Sequence, residues 1–450
     1  MKGKQNNYHA IKVEEHDLEH LNHKEEEEEP KVSTLELFSD LVIVVSIHVV
    51  AEPLEEEDFT QYGMYFARVF YLWLSWHTIT LFMNAAVKMK SNNCPVYNFV
   101  IFIWMACILH MSQSFSVDDD RTALKWYLIL RVYSIFQYAR AVYFPYKAIE
   151  LPDGTRALSV EEGTIDEMQK FVHVMMFTVS FCEFVPLFLA YHWGSDGQLY
   201  YPMVRISICM IILSMIASAT FGNRGKIMVN TFDTDHLQER YELITLIFTG
   251  ELCFAAGKPG NIVGTYAVMC MAFCCYLLTF KAHPPRGHVK FWARSTLHSV
   301  VGLFLYAGVF CAIPAMGSAF ARIIDNKDAA GEGMENTNTE TNAEWNEEEI
   351  IMGISAGDLL CYSAGTFMTF SAMLNVINVD PKGHMQPKIC SYHRGLIRIF
   401  FGFLMWASVF LIPEEARFHD APLTAILIPV FAFLSTAIEI WAVGSLKIAL

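Results

Sequence analysis

The sequence is poor in charge for its length, and this shortage decides its class. Only 18% of the 450 residues are Asp, Glu, Lys or Arg, whereas an average soluble protein has about 25%. Hydrophobic residues make up 54% and mean hydropathy is +0.31. The chain therefore has the composition of a membrane protein.

Signatures of several enzyme classes and metal sites are also missing. The sequence contains no P-loop, no GxSxG, no HExxH and no CxxC pair at metal spacing. No Lys lies in the middle of a late apolar segment, which argues against a retinal Schiff base. We therefore predict no enzymatic activity, no cofactor and no metal. A secretory signal peptide is absent too, so the first apolar helix is expected to direct insertion.

The cysteines give no reason to expect disulfides. Nine of the eleven lie inside apolar runs, where a free Cys behaves as a small buried hydrophobe. The sequence therefore predicts buried, unpaired thiols.

The net charge of −15 comes mostly from two segments. Residues 1–30 hold nine acidic residues against four Lys, and residues 325–349 hold nine against one. The first segment has too little apolar area to fold, so it is predicted to be a disordered acidic tail. The rest of the chain is close to neutral, which argues against nucleic acid as a partner.

Twelve segments are apolar enough to be membrane-spanning helices, which need about 20 residues each. The predicted fold is therefore all-α, a polytopic integral membrane helix bundle filling residues 31–450. The segments are 35–52, 64–86, 96–115, 123–144, 171–193, 202–221, 240–256, 261–280, 295–321, 354–378, 395–413 and 421–445.

Lys and Arg concentrate in alternate loops between these segments, which predicts the orientation. Both termini are expected in the cytoplasm, and the acidic loop 325–349 on the opposite side. The plasma membrane is the first choice of location. The lipid bilayer is then the main partner, and a homodimer stays open.

Two of the twelve segments are unusually polar, and they resemble each other. Ser33–Glu52 reads STLELFSDLVIVVSIHVVAE and His236–Gly257 reads HLQERYELITLIFTGELCFAAG. Aligned without gaps, they match Glu36 with Glu239 and His48 with Glu251. An offset of six spans preserves direction, so the pair suggests a parallel 6+6 repeat with halves 31–221 and 236–450.

Charged side chains in a spanning helix are costly and normally face the protein interior. We therefore expect the two polar helices to lie side by side near the bundle centre, with Gly250 allowing a close helix approach. Their acids form either a pathway or structural pairs with buried Arg, and Arg205 and Arg398 are further basic partners. The candidate residues for a substrate or proton pathway are Glu36, Asp40, His48, His77, Asn84, Arg131, Arg140, Glu239, Arg240 and Glu251.

The same two segments carry a family resemblance. ELFSDLVIVV at Glu36–Val45 resembles the opening motif of the bacterial low temperature requirement A (LtrA) family, which reads roughly ELFFDLVFV. Ser39 replaces the usual aromatic residue. The family's second signature, His-x-x-Glu-Arg followed by Gly-Glu, is similar to the pattern of His236, Glu239, Arg240, Gly250 and Glu251. An aromatic-rich second helix with Trp73, Trp76, Thr78 and Asn84 also looks like that family. The resemblance implies a polytopic membrane protein and supplies no reaction.

Three functions fit these observations. The first is a secondary transporter or a proton-linked pathway for a small solute or ion, which uses the buried acids and His. The second is a membrane receptor or scaffold in which the same charges only hold helices together. An intramembrane enzyme is a distant third. The first two functions differ in the surroundings of the acids, which would line a hydrated cavity in a transporter and form ion pairs with Arg in a scaffold.

Overall fold

The computed structural model describes most of the apolar part of the chain. The described residues are 34–55, 62–88, 95–143, 146–150, 156–160, 167–193, 205, 209, 212–213, 234–256, 262–281, 296–333, 356–378, 388–411 and 426–438. The predicted tail 1–30 lies outside them. So does most of the predicted span 202–221, whose four described residues are helical.

Eleven helices make up the described bundle, and they coincide with eleven of the twelve predicted segments. A 3₁₀ turn at Glu52–Glu55 follows the first, and a π-helical turn at Leu277–Lys281 follows the seventh. The helices are α1 (Thr34–Ala51), α2 (Tyr62–Lys88), α3 (Pro95–Ser116), α4 (Asp120–Tyr143), α5 (Glu167–Trp193), α6 (Thr234–Ala256), α7 (Ile262–Tyr276), α8 (Thr296–Gly333), α9 (Ala356–Asn378), α10 (Lys388–Leu411) and α11 (Ile426–Ile438).

The all-α prediction is confirmed for the bundle and needs one small correction outside it. Strands β1 (Tyr146–Glu150) and β2 (Arg156–Val160) form an antiparallel hairpin between α4 and α5, with Tyr146 opposite Val160. The predicted acidic loop 325–349 also begins inside a helix, because α8 continues to Gly333. The rest of that loop lies outside the described residues.

Four of the described helices are long and apolar enough to cross a membrane. Their candidate spans are Thr34–Leu54, Asn98–Ser116, Val301–Ile324 and Ala356–Ile377. The span in α8 is 89% buried, against 50% to 61% for the other three. The class of integral membrane protein is thus confirmed, and α8 is the innermost of these four helices.

The position of α1 differs in part from its prediction. It packs against α2, α3 and α6, as expected for a helix beside α6. Its opposite face, however, exposes Leu37, Leu41 and Val45 at 43% to 48%. The exposed His48 lies at the end of the same face. The apolar part of this face can meet lipid while the acids point inward, and α1 lies at the rim of the described bundle rather than at its centre.

The tight turn between α3 and α4 fixes the end of α2. Asp119 caps α4 by accepting a hydrogen bond from the Thr122 amide at 3.0 Å, and this contact lowers the pKa of the Asp119 carboxyl below its usual value. Arg68 of α2 binds Asp118 at 2.7 Å and Asp120 at 3.0 Å. These two ion pairs anchor α2, the helix that runs between the two buried clusters described below.

The nine cysteines whose side chains the structure describes are all free. The prediction of unpaired thiols is therefore confirmed for this part of the chain.

Candidate functional site

Two pairs of polar residues with helical spacing face each other across the α1–α6 interface. Glu36 and Asp40 are four residues apart on α1, and His236 and Arg240 are four apart on α6. Side chains with this spacing lie on one face of a helix. All four are 0% to 2% exposed. We call them the α1–α6 cluster.

The cluster consists of two contacts, each between an acidic and a basic side chain. His236 Nε2 lies 2.9 Å from Glu36 Oε1, and Arg240 Nη2 lies 2.5 Å from Asp40 Oδ1. The two contacts are linked, because Arg240 Nη1 is 4.0 Å from Glu36 Oε1. The sequence places both acids on one face, and the structure confirms it.

Further side chains enclose the Arg240 guanidinium and the Asp40 carboxylate. The Trp76 indole donates a hydrogen bond to Asp40 Oδ1 at 2.8 Å, and its ring lies 5.8 Å from the guanidinium carbon. Arg240 also donates to Ser39 Oγ at 2.9 Å and contacts Met83 Sδ at 3.6 Å. This arrangement stabilises buried charge by surrounding it with hydrogen-bond partners.

Three consecutive residues of α2 extend the polar contacts beyond this cluster. Trp76 binds Asp40, and His77 Nδ1 lies 2.5 Å from the Tyr241 hydroxyl of α6. Thr78 Oγ1 accepts a hydrogen bond from Arg131 of α4 at 3.2 Å. Successive residues of a helix point in different directions. The segment Trp76–Thr78 therefore connects α1 and α6 on one side with α4 on the other.

Arg131 belongs to a second buried ion pair, which we call the α4–α5 cluster. Its Nε lies 3.0 Å from Glu183 Oε2 of α5 and donates to the Tyr127 hydroxyl at 2.8 Å. The Tyr127 hydroxyl in turn donates to the Glu183 carboxylate. Arg131 and Glu183 are 4% and 2% exposed. Arg131 thus pairs with Glu183 and not with the acids of α1 or α6.

A third contact lies at the opposite ends of α1 and α6. His48 Nδ1 is 3.4 Å from Glu251 Oε2, with 56% and 19% of these side chains exposed. The gapless alignment matches the same two residues. The pair is separate from the α1–α6 cluster and much more open.

The other predicted candidates have different surroundings. Glu239 is exposed on α6 and takes no part in the α1–α6 cluster, because His236 occupies the place opposite Glu36. Asn84 is buried on α2. Arg140 is helical, and its side chain lies outside the described part of the structure.

Three further residues were predicted to allow a close helix approach or to pair with the acids: Gly250, Arg398 and Arg205. Gly250 is exposed, and none of the described residues lies within 4 Å of the position that a Cβ would occupy there, so no described helix makes the predicted close approach. Arg398 is completely buried on α10 and donates to the Leu278 carbonyl at 3.3 Å. Arg205 is exposed.

Five functional candidates were missing from the sequence-based set: His236, Trp76, Tyr241, Tyr127 and Glu183. His236 and Trp76 were visible in the two motif helices and in the aromatic second helix. Glu183 is an acid inside an apolar segment, which is itself a signal. Tyr127 lies four residues before Arg131 on α4, a spacing that puts the two on one face. Nothing in the sequence links Tyr241 to His77, since that contact crosses between α6 and α2.

Chemically, the described network can hold charge and exchange hydrogen bonds. His, Tyr and Thr each donate and accept, whereas Arg only donates and a carboxylate only accepts. Among the described residues, no group of three or more His, Cys, Asp or Glu could hold a metal ion.

Comparison with known proteins gives a match at the level of the family. A family model described as "Bacterial low temperature requirement A protein (LtrA)" matches residues 31–432, which include every residue of both clusters. No curated protein and no solved structure matches the chain.

Proposed function

The chain belongs to the bacterial low temperature requirement A (LtrA) family, and from that premise we propose that it is a secondary transporter or a proton-linked pathway for a small solute or ion. The pathway would use the buried polar network of α1, α2, α4, α5 and α6, and no enzymatic step. One observation carries the proposal: the segment Trp76–Thr78 joins two buried ion pairs that lie on different helix pairs.

The cost of this network supports a role beyond packing. A charged side chain at the centre of a bilayer costs about 2.5–3.5 kcal/mol even on insertion scales. Helices can associate in a membrane through small residues and apolar packing alone. Two linked ion pairs with a buried His between them are therefore more than helix association requires.

His77 and Tyr241 are the groups best suited to move a proton between the clusters. Both can donate and accept, and they lie 2.5 Å apart. The side chains of the α1–α6 cluster are almost completely buried. Transport therefore requires a second arrangement in which this cluster meets water, as in alternating access.

We also infer twelve crossings of the membrane. The contacts 36–236, 40–240 and 48–251 rise together along both helices, so α1 and α6 are parallel. In a chain that crosses the membrane with every helix, parallel helices are an even number of crossings apart. A crossing by residues 202–221 makes that number six and the total twelve. The cytoplasmic location of both termini and the parallel 6+6 repeat are part of the same proposal.

The test is proton flux in liposomes that contain the full chain, a pH-sensitive dye and an imposed pH gradient. Wild-type protein should carry flux above that of protein-free liposomes. His77→Phe keeps an aromatic ring stacked on Trp73 but loses the hydrogen bond to Tyr241. Flux should therefore fall at least about tenfold, which is a smaller factor than a positioned acid–base group usually contributes.

His110→Phe is the matched control. His110 also stacks on a tryptophan, Trp126, but it is exposed on α3. This variant should keep wild-type flux. Equal flux in His77→Phe and His110→Phe would contradict the proposed path.

A receptor or scaffold is the second candidate, and one observation favours it. Glu36, Asp40 and Glu183 each contact a basic side chain already, as structural ion pairs would. Wild-type protein that carries no flux for protons or ions in the same liposomes would favour this function.

A further inference from the structure

We propose that Glu242 of α6 is the residue through which protons enter the path to His77. Its carboxylate lies at the partly exposed end of a row of polar side chains, which runs through Gln238 and Tyr306 to Tyr241. The inference rests on the proposed function, because it assigns one more residue to the same path.

The Gln238 amide brings a carboxylate and a hydroxyl group together. Its nitrogen donates to Glu242 Oε1 at 2.8 Å and to the Tyr306 hydroxyl of α8 at 3.0 Å. Gln238 and Glu242 are four residues apart on α6, which places both side chains on one face of the helix. Because both oxygens accept from one nitrogen, they are no further apart than these two hydrogen bonds laid end to end. A bridging water can connect polar groups at such a separation.

Beyond Tyr306, the row reaches residues that already belong to the proposed path. The Tyr306 ring lies 4.6 Å from the Tyr241 ring, and the Tyr241 hydroxyl lies 2.5 Å from His77 Nδ1. Hydroxyl and imidazole groups both donate and accept hydrogen bonds, so they can pass a proton on. The Gln238 amide is neither an acid nor a base, and its part is to hold the two oxygens in place.

Glu242 differs from the deeply buried acids in its exposure and in its partner. It is partly exposed, whereas Glu36, Asp40 and Glu183 are at most 2% exposed. Each of those three contacts a His or an Arg. Among the residues that the structure describes, no Lys, Arg or His forms an ion pair with Glu242. A proton can therefore bind to Glu242 and leave it without breaking an ion pair.

The charged groups of α6 and α7 leave this carboxylate to itself. Arg240 is two residues away on α6, so it points to nearly the opposite side of the helix, where it binds Asp40 of α1. Glu239 is exposed. Helix α7 contains no Asp, Glu, Lys, Arg or His. The side chain of Lys281, at the end of the π-helical turn, lies outside the described part of the structure.

The remaining helices packed against α6 add only groups of the path itself. Helix α2 contacts α6 through His77, and α8 contacts Gln238 through Tyr306. The nearest other residues of α8 that can carry charge are His298 and Arg322, each at least two helical turns from Tyr306.

The proposed entry step moves one proton and changes only O–H bonds. Water gives a proton to the Glu242 carboxylate, which becomes a neutral carboxyl group. That group then gives a proton to the Tyr306 oxygen while the Tyr306 hydroxyl releases its own proton toward Tyr241. The carboxylate is restored, and no oxidant or second substrate is needed.

Proton flux in liposomes tests the assignment, with Glu242→Gln as the central variant. Gln can still accept the hydrogen bond from Gln238 but cannot bind and release a proton, so flux should fall at least about tenfold. Glu242→Asp keeps a carboxylate and should retain more flux than Glu242→Gln. Glu239→Gln, an exposed neighbour on the same helix, is the matched control and should keep wild-type flux.

A second measurement does not depend on whether Glu242→Gln folds. A hydrophobic carbodiimide, which reacts with protonated carboxyl groups, is added to the Glu239→Gln protein in liposomes, and modified residues are mapped by peptide mass spectrometry. Glu242 should be modified, less so as the pH is raised, and flux should be lost in step with its modification. Tyr306→Phe should lower flux while Glu242 is still modified.

Wild-type flux in Glu242→Gln, equal loss in Glu242→Asp and Glu242→Gln, or modification of Glu242 without loss of flux would each overturn the inference. So would the absence of carbodiimide from Glu242. In all four cases wild-type liposomes still carry protons, so the proposed function stands and only the entry residue is wrong. Wild-type liposomes without any flux would instead remove the proposed function and this inference together.

Discussion

The guanidinium of Arg240 ties the two polar helices together. It reaches Asp40 and Ser39 of α1 and lies over Trp76 of α2, with no exposed surface of its own. A single residue of α6 thus fixes the position of two other helices.

We predict that Arg240→Met strongly destabilises the protein. The change leaves Asp40 and Glu36 buried beside each other without the guanidinium. Removing one partner of a buried ion pair typically costs about 3–5 kcal/mol. Unfolding in detergent, followed by circular dichroism against denaturant, measures the loss.

Glu239→Gln is the control for this change. The residue is adjacent in sequence but exposed, so its substitution should alter stability by less than about 0.5 kcal/mol. If the two variants were equally stable, the ion pair would not be holding α1 to α6.

At this scale the sequence predicted the residue types but not their register. The gapless alignment matched Glu36 with Glu239, while in the structure Glu36 faces His236 and Asp40 faces Arg240. An alignment of similar segments reports equivalent positions, which need not touch. Contact is decided by opposite charge, and two ionised Glu side chains would repel in a buried interface.

Among the elements, the close contact of α9 and α10 depends on two glycines. A Cβ on Gly402 would clash with Thr369 Oγ1 and lie 3.0 Å from the Gly365 carbonyl, and one on Gly365 would lie 2.9 Å from the Gly402 carbonyl. The two backbones therefore meet directly, in the manner of small-residue helix packing in membranes.

We predict that Gly402→Ala lowers the midpoint of thermal unfolding in detergent. The added methyl group must push α9 and α10 apart or displace Thr369, and overpacking of this kind costs about 1–3 kcal/mol. The loss should appear without any change in oligomeric state on size-exclusion chromatography.

Gly250→Ala is the matched control in another helix. In the described part of the chain, no atom lies within 4 Å of a Cβ there. Replacing Gly by Ala inside a helix stabilises by roughly 0.5–1 kcal/mol. A midpoint that falls equally in both variants would mean that the effect of Gly402→Ala is not caused by the α9–α10 contact.

The helices were the easiest elements to predict from the sequence. The helix ends and the hairpin were the hardest. An apolar run of the right length has few other stable forms in a bilayer, so eleven of the twelve segments are described helices. The extension of α8 to Gly333 lies past the apolar run, where length and hydropathy give no signal. The strands Tyr146–Glu150 and Arg156–Val160 are too short and mixed to stand out.

For the whole molecule, the sequence could not show which helix is central. Lipid tails and apolar side chains are similar solvents, so hydropathy does not distinguish a helix facing lipid from one enclosed by protein. This is why α8, with its span 89% buried, carries no special signal. The central position predicted for α1 came from its charged residues, which need only one inward face. The parallel direction of α1 and α6, by contrast, was predictable from their similarity.

The charge distribution predicts the orientation of the whole chain, and α8 supplies a place to test it. Lys88 ends α2, in a basic segment expected in the cytoplasm, whereas α8 ends at Gly333 within the acidic segment expected on the other side. Single cysteines just beyond these ends, Lys90→Cys and Glu335→Cys, report on each side. The background should carry Cys94→Ser and Cys390→Ser, because these two native cysteines lie outside the predicted apolar segments, with Cys390 in the first turn of α10.

We predict that a membrane-impermeant maleimide, added to the non-cytoplasmic side of sealed vesicles, labels Glu335→Cys and not Lys90→Cys. Opening the vesicles with detergent should then label both, which shows that each cysteine is reactive. The reverse pattern would invert the chain in the membrane. Opposite sides require an odd number of crossings between residues 90 and 335. The proposed topology has seven: α3, α4, α5, 202–221, α6, α7 and α8. Labelling of both cysteines in sealed vesicles would contradict it. The experiment therefore also tests whether residues 202–221 cross the membrane, as the parallel direction of α1 and α6 requires.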